Sequence, residues 1–253
     1  MSALAATTAA VALAFVVLSV LSSRRPSAPV PDLDGYFDRW SPLHGGFDPR
    51  GSWMIRTWLG WAYAVARPMA RAGLQPDVLT LWSVEIGLVI VLLADARGRW
   101  PLLGAWVVVA SGLLDNLDGA VAVLEDRTSK IGFVLDSVVD RVTDGIYLVA
   151  LWRLGAPVWL CVAAGSAVAL LEYARARAGN AGMGEIGVVT IGERPTRVIV
   201  TAVAFFCAGL YAGHQPLIAG LGAAATLGLS VISCGQLALA VRRVLAGPAG
   251  PVS

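Results

Sequence analysis

Charge is scarce in this chain. Only 14% of its 253 residues are Asp, Glu, Lys or Arg, against about 25% in an ordinary soluble domain. Apolar residues make up 57%, and the mean hydropathy is +0.71. A soluble core in so short a chain cannot absorb that much apolar surface, which excludes an ordinary water-soluble enzyme as well as disordered and fibrous classes. Cysteine is nearly absent. Cys161, Cys207 and Cys234 all lie in apolar stretches, with no CxxC and no Cys/His cluster, so disulfide-scaffold, zinc and redox readings fall away. The two histidines, His44 and His214, lie in expected loops. The net charge of +2 is too small for a nucleic-acid partner. What remains is an all-α polytopic membrane protein.

The apolar runs set the expected organisation. Residues 3–21 carry no charge and are followed by Arg24 and Arg25. A secretory signal has its basic residues before the apolar core, so residues 1–25 read as an uncleaved membrane anchor, with a cleaved signal as the alternative. Residues 26–50, rich in Pro, Gly and Asp, read as an irregular linker. In 51–74, Trp53, Trp58 and Trp61 mix with Arg56, Arg67 and Arg71, which suits an amphipathic helix at the headgroup level; the alternative is the start of a longer spanning helix. Six spans are expected at 77–95, 101–123, 133–152, 156–174, 196–212 and 217–241, within a domain covering 75–243. Residues 244–253 read as a flexible tail.

Loop charge gives an expected orientation. Counting the loops alternately places 16 of the 19 basic residues on one side and only Arg97, Arg99 and Arg153 on the other. By the positive-inside rule the basic side is cytoplasmic.

Acidic side chains in or beside spans are costly and mark functional sites. Four fall in one short region. Asp115 and Asp118 are three residues apart near the end of one expected helix, and Asp136 and Asp140 are four apart on the next. Each spacing puts a pair on one helical face. The short loop at 124–130 turns the two helices into a hairpin, so the four carboxylates can converge near the cytoplasmic surface. Such a group repels itself unless a cation is present. Hard divalent ions, with oxygen ligands and substrate phosphates, meet that need, and two of them form a clamp for phosphoryl displacement. Gly119 and Gly132 leave room for a ligand to approach the backbone.

The run Asp115-x2-Asp118-Gly119-x2-Ala122-x9-Gly132-x3-Asp136-x3-Asp140 resembles the signature of the CDP-alcohol phosphatidyltransferases. The resemblance implies a fold of six membrane helices and transfer of a phosphatidyl group from CDP-diacylglycerol to an alcohol, with release of CMP. It further implies that Asp115, Asp118 and Asp136 hold two divalent ions, Mg²⁺ or Mn²⁺. Asp140 would share one of them and act as the base toward the acceptor hydroxyl. CDP-lipid binding would fall to Gly119, Ala122, Ser129 and Gly132, and to Asp77 and Thr80 of the Pro76-Asp77-x2-Thr80 run. A homodimer is implied by the family alone. The chain departs from the pattern at Val123, where the family carries an arginine that contacts the CDP-lipid. Arg127, one helical turn on, is the candidate substitute.

Two stretches narrow the resemblance to the actinobacterial branch that makes phosphatidylinositol phosphate. Gln75-Pro76-Asp77-Val78-Leu79-Thr80 resembles the Pro-Asp-x-x-Thr opening of its first helix, and Glu172-Tyr173-Ala174-Arg175-Ala176-Arg177-Ala178 followed by Gly192-Glu193-Arg194-Pro195-Thr196-Arg197 resembles its basic cytoplasmic loop. Arg175, Arg194 and Arg197 would then receive the phosphate of inositol 1-phosphate. Arginine suits that task because its planar fork matches phosphate oxygens. Glycerol 3-phosphate is the alternative acceptor, although the Lys-x-Lys-Thr element of that branch is absent. Asp144 extends the Asp136/Asp140 face by another turn. Two other readings stay open: a non-catalytic lipid- or nucleotide-binding paralogue, motivated by Val123, and a small transporter using membrane carboxylates. Clustering at one membrane face rather than the midplane speaks against transport.

Overall fold

The structure, a computed structural model, describes residue 17, residues 29–183 and residues 189–245. The expected anchor at 1–25 (Val17 apart), residues 246–253 of the tail, and residues 184–188 of the loop before Arg194 lie outside the described residues. Across residues 29–245, eight α-helices follow one another among the described residues, with no strand. They are α1 (Leu33–Leu43), α2 (Trp53–Arg71), α3 (Pro76–Ala96), α4 (Trp100–Glu125), α5 (Lys130–Leu154), α6 (Val158–Asn180), α7 (Arg194–Leu210) and α8 (Gln215–Leu245). The last six coincide with the six expected spans. Among the described residues four segments are long and apolar enough to cross a bilayer: α3, α4, α6 and the 34-residue stretch Ala212–Leu245. Of the other two, α5 carries Asp136, Asp140, Arg141, Asp144 and Arg153, and α7 has 17 residues.

The chain divides into two compact units. Among the described residues, one comprises those up to Leu88 with Ala110–Thr143, and the other comprises Val89–Val109 with those from Asp144 onward. In the first unit, the expectation of an irregular linker at 26–50 is corrected: residues 33–43 form α1. Asp32 caps it, its side chain accepting from the Gly35 N–H at 2.9 Å, which satisfies one of the orphan donors of a helix start. Leu33, Tyr36, Phe37 and Trp40 stand at i, i+3, i+4 and i+7, the spacing of one apolar face. Tyr36 and Phe37 are fully buried. A 3-10 turn at Pro49–Gly51 follows, and Arg50 ties it back to α1 through Asp34 at 3.1 Å and Asp38 at 2.9 Å. Local composition suggested a linker; the apolar face and its cap decide for a helix.

Residues Leu59, Tyr63, Ala66 and Ala70 form the buried face of α2. They join Tyr36, Phe37, Leu79, Leu117, Val121, Val123 and Leu124 in one core. The opposite face of α2 is apolar yet uncovered, with Trp53 82% and Trp61 71% exposed.

The second unit packs small residues tightly. Ala94, Ala105, Ala164, Ala204, Ala208, Ala219 and Ala223 are all buried in its core, with Phe205 and Leu151. Small side chains let helix backbones approach closely, which is how membrane helices gain packing energy. Gly209 shows how close: a Cβ there would lie 2.6 Å from the Leu102 backbone nitrogen. Gly155, which links α5 to α6, has φ +116° and would place a Cβ 2.9 Å from Pro216. Gly209→Ala is therefore expected to destabilise the protein by about 1–3 kcal/mol, the usual cost of overpacking. A thermal unfolding curve in detergent checks this, since a wild-type midpoint would show that the helices can separate without cost.

Candidate metal and phosphate-transfer site

The first unit holds the acidic group. Asp115 comes from α4, and Asp136 and Asp140 come from successive turns of α5. One carboxylate oxygen from each lies within 4.8 Å of the other two. All three side chains are partly accessible. Their oxygens form a hard, anionic donor set, the kind that Mg²⁺ and Mn²⁺ prefer. Asp140 also contacts Arg141 at 3.2 Å.

Asp118 has partners of its own. It is 7% exposed, and its side chain accepts a hydrogen bond from the Thr80 hydroxyl of α3. Its other oxygen accepts from the Gly119 N–H at 2.5 Å. Thus the four expected carboxylates resolve into three that share a space and one that is held by Thr80. The Thr80 position, expected to bind CDP-lipid, here touches a candidate metal ligand.

The remaining expected donor-site residues surround the α4–α5 turn. Ser129 caps α5, its hydroxyl accepting from the Gly132 N–H at 2.9 Å. A Cβ on Gly132 would sit 3.1 Å from that hydroxyl and 3.5 Å from Asp77 Oδ1, so Asp77, Ser129 and Gly132 meet at the start of α5. A Cβ on Gly119 would meet nothing within 4 Å. Packing therefore does not require glycine there, and the space beside it is open. Ala122 is half-buried.

Val123 is 6% exposed and belongs to the core that contains Tyr36 and Phe37 of α1. The position is apolar because it is built into that core. Arg127, the expected substitute for the missing arginine, pairs with the buried Glu125 at 3.1 Å. A cation that the sequence did not single out is also present: Arg39 of α1 donates from Nη1 to the Leu124 carbonyl at 2.7 Å. It satisfies one of the open carbonyls at the C-terminal end of α4.

The expected acceptor residues lie in the second unit. Arg197 is 2% exposed and contacts Asp144 at 3.1 Å and Glu172 at 3.3 Å. It also donates to the Gly192 carbonyl at 2.6 Å. Arg175 contacts Glu172 at 3.4 Å and Glu193 at 2.7 Å. Arg194 is the first residue of α7 and is half-buried. Burial pushes the Glu193 carboxyl up, but hydrogen bonds from Thr190 and Arg175 outweigh this and hold it below its ordinary value. Asp144 thus has a definite partner, and Glu193 emerges as a functional candidate that spacing alone did not mark.

Comparison with known proteins identifies the family. The sequence profile of the CDP-alcohol phosphatidyltransferases matches residues 74–232. The chain belongs to this family. It is thereby a multi-pass membrane enzyme of the metal-dependent phosphatidyltransferase class. It is similar to the phosphatidylinositol phosphate synthase of Streptomyces avermitilis, with 30% identity over 187 residues, covering 70% of this chain and 73% of that protein. The archaetidylinositol phosphate synthase of Pyrococcus horikoshii is 32% identical over 145 residues, 55% of this chain and 73% of the relative. A crystal structure of the Mycobacterium tuberculosis phosphatidylinositol phosphate synthase with CDP-DAG bound superposes with a TM-score of 0.60 at 27% identity, covering 76% of this chain and 98% of that one. The same enzyme in complex with manganese and citrate gives 0.58 at 28% identity, covering 71% and 88%. The family match begins at residue 74, so α1 and α2 lie outside it.

Proposed function

We propose that this enzyme transfers the phosphatidyl group of CDP-diacylglycerol to a phosphorylated polyol, inositol 1-phosphate, and releases CMP. The observation that carries the proposal is the convergence of Asp115, Asp136 and Asp140 within 4.8 Å, with Asp118 fixed by Thr80. Asp115, Asp118, Asp136 and Asp140 would hold two divalent ions, Mg²⁺ or Mn²⁺, which supply charge neutralisation for the pyrophosphate and the departing CMP. Asp140 takes the proton of the acceptor hydroxyl. The hydroxyl oxygen then forms a bond to the phosphatidyl phosphorus as the bond to the CMP oxygen breaks. Asp77, Thr80, Gly119, Ala122, Ser129 and Gly132 line the donor side in this reading. Arg175, Arg194 and Arg197 receive the acceptor phosphate.

The acidic group faces the cytoplasm in this proposal, on the strength of the arginine asymmetry across the spans. The exposed Trp53 and Trp61 of α2 lie at the headgroup level, and the enzyme works as a homodimer, as the family resemblance implies. Names of the relatives support inositol phosphate over glycerol 3-phosphate as acceptor. The test offers inositol 1-phosphate, glycerol 3-phosphate and free inositol separately with CDP-diacylglycerol, and identifies the lipid product by mass. A phosphatidylinositol phosphate product from the first acceptor is expected. Product formed only with glycerol 3-phosphate or inositol would contradict the acceptor assignment.

A further inference from the structure

The short segment 189–193 enters α7 with its polar backbone met almost group by group by side chains. The Thr190 N–H donates to Glu193 Oε1 at 2.8 Å, the Ile191 N–H to Gln236 Oε1 at 3.0 Å, and the Gly192 N–H to Ser233 Oγ at 2.7 Å. The Gly192 carbonyl accepts from Arg197 at 2.6 Å. A segment held this fully has one conformation to offer. Glu193 does more than fix the backbone. The same Oε1 also accepts from the Thr190 hydroxyl at 2.9 Å and from Arg175 Nη2 at 2.7 Å. It joins α6 to the segment that leads into Arg194 and Arg197.

Charges alternate through this group: Asp144, Arg197, Glu172, Arg175 and Glu193. Arg175 is gripped at two nitrogens, with Nε toward Glu172 at 3.4 Å and Nη2 toward Glu193. An arginine side chain has many rotamers, and a ligand that must order it loses affinity. A carboxylate that orders the guanidinium beforehand removes that loss. We propose that Glu193 is the positioning residue of the acceptor site: by holding Arg175 and Thr190 together it presets the guanidinium for a phosphomonoester. The inference rests on the acceptor reading above. It assigns a role to a residue that makes no contact of its own with the reacting atoms.

The test uses the full chain purified in detergent. Binding of inositol 1-phosphate is measured by titration calorimetry with Mn²⁺ present, and turnover is measured with CDP-diacylglycerol. Glu193→Ala removes a charge-assisted contact, so Kd for inositol 1-phosphate is expected to rise about tenfold. Glu193→Gln keeps an oxygen for the Thr190 N–H but not the ion pair, so it is expected to fall in between, at about threefold. The KM for CDP-diacylglycerol, and kcat at saturating acceptor, should stay within about twofold, since uniform loss of ground-state acceptor binding moves KM and not kcat. Gln236→Ala loosens the same segment without touching Arg175 and should leave Kd within about twofold. Should Glu193→Ala not fold, Glu193→Gln carries the test alone. An unchanged Kd in the Glu193 variants, or an equal loss in Gln236→Ala, overturns the positioning role and leaves the acceptor assignment standing. A wild type that releases CMP but does not bind inositol 1-phosphate overturns both.

Discussion

Asp140→Asn is expected to lower turnover by roughly 10²–10⁴-fold, the range for loss of a positioned general base. The upper end applies because the carboxylate has two tasks. It lies within 4.8 Å of Asp115 and Asp136, where it helps to hold cation charge, and it is the proposed proton acceptor. Asparagine keeps the shape and one oxygen but cannot take a proton. The variant should therefore still bind divalent ions, more weakly, while chemistry is lost. CMP release over time measures the first property and Mn²⁺ titration the second. Normal turnover in Asp140→Asn would refute the assignment of the base.

Asp115→Asn is expected to act on stability and activity in opposite directions. Without cations, three carboxylates with oxygens within 4.8 Å of one another repel. Replacing one by a neutral amide of the same shape relieves that repulsion. The metal-free variant should melt higher than the metal-free wild type, by about 2–4 °C for each kcal/mol relieved. Adding Mn²⁺ or Mg²⁺ should reverse the order, because a ligand that binds only the folded state stabilises by mass action and the wild type binds it more tightly. Turnover in the variant should be strongly reduced and should need more metal to reach its maximum. Melting curves of both proteins, with chelator and with metal, decide this. A metal-free variant less stable than wild type would show that the cluster is not under charge strain.

How far the sequence foretold this structure depended on the range of each interaction. Of the six helices from α3 to α8, α3, α4, α6 and α8 were legible because hydropathy alone marks a membrane span, whereas the charges of α5 and the 17-residue length of α7 made those two weaker signals. The convergence of Asp115 with Asp136 and Asp140 was legible because helical spacing and a short turn determine it. The partner of Asp118 was not legible by the same reasoning. That partner, Thr80, lies 38 residues away, and no local rule pairs them. Arg39, which meets the Leu124 carbonyl across 85 residues, was invisible for the same reason. The helix α1 was a different kind of omission: its apolar face at Leu33, Tyr36, Phe37 and Trp40 was present in the sequence, but the Pro, Gly and Asp around it favoured a linker.

Val123 changes meaning once the structure is known. Read as a departure from a family motif, it suggested lost function. In the structure it is core, packed in the cluster that holds Tyr36 and Phe37. These come from α1, a helix that precedes the family match at residue 74. The side chain at 123 therefore packs against residues outside the family match, while all four aspartates and both glycines of the motif remain. Arg39 and Arg127 lie around the same helix end, with Arg39 on the Leu124 carbonyl and Arg127 on Glu125.

The most direct test of the account is CMP release by the metal-stripped 253-residue chain in liposomes with CDP-diacylglycerol and inositol 1-phosphate. No CMP should appear until Mg²⁺ or Mn²⁺ is added, after which CMP and a new phospholipid should form in equal amounts. CMP formed at the same rate without a divalent ion, or none formed with any metal and acceptor, would contradict it.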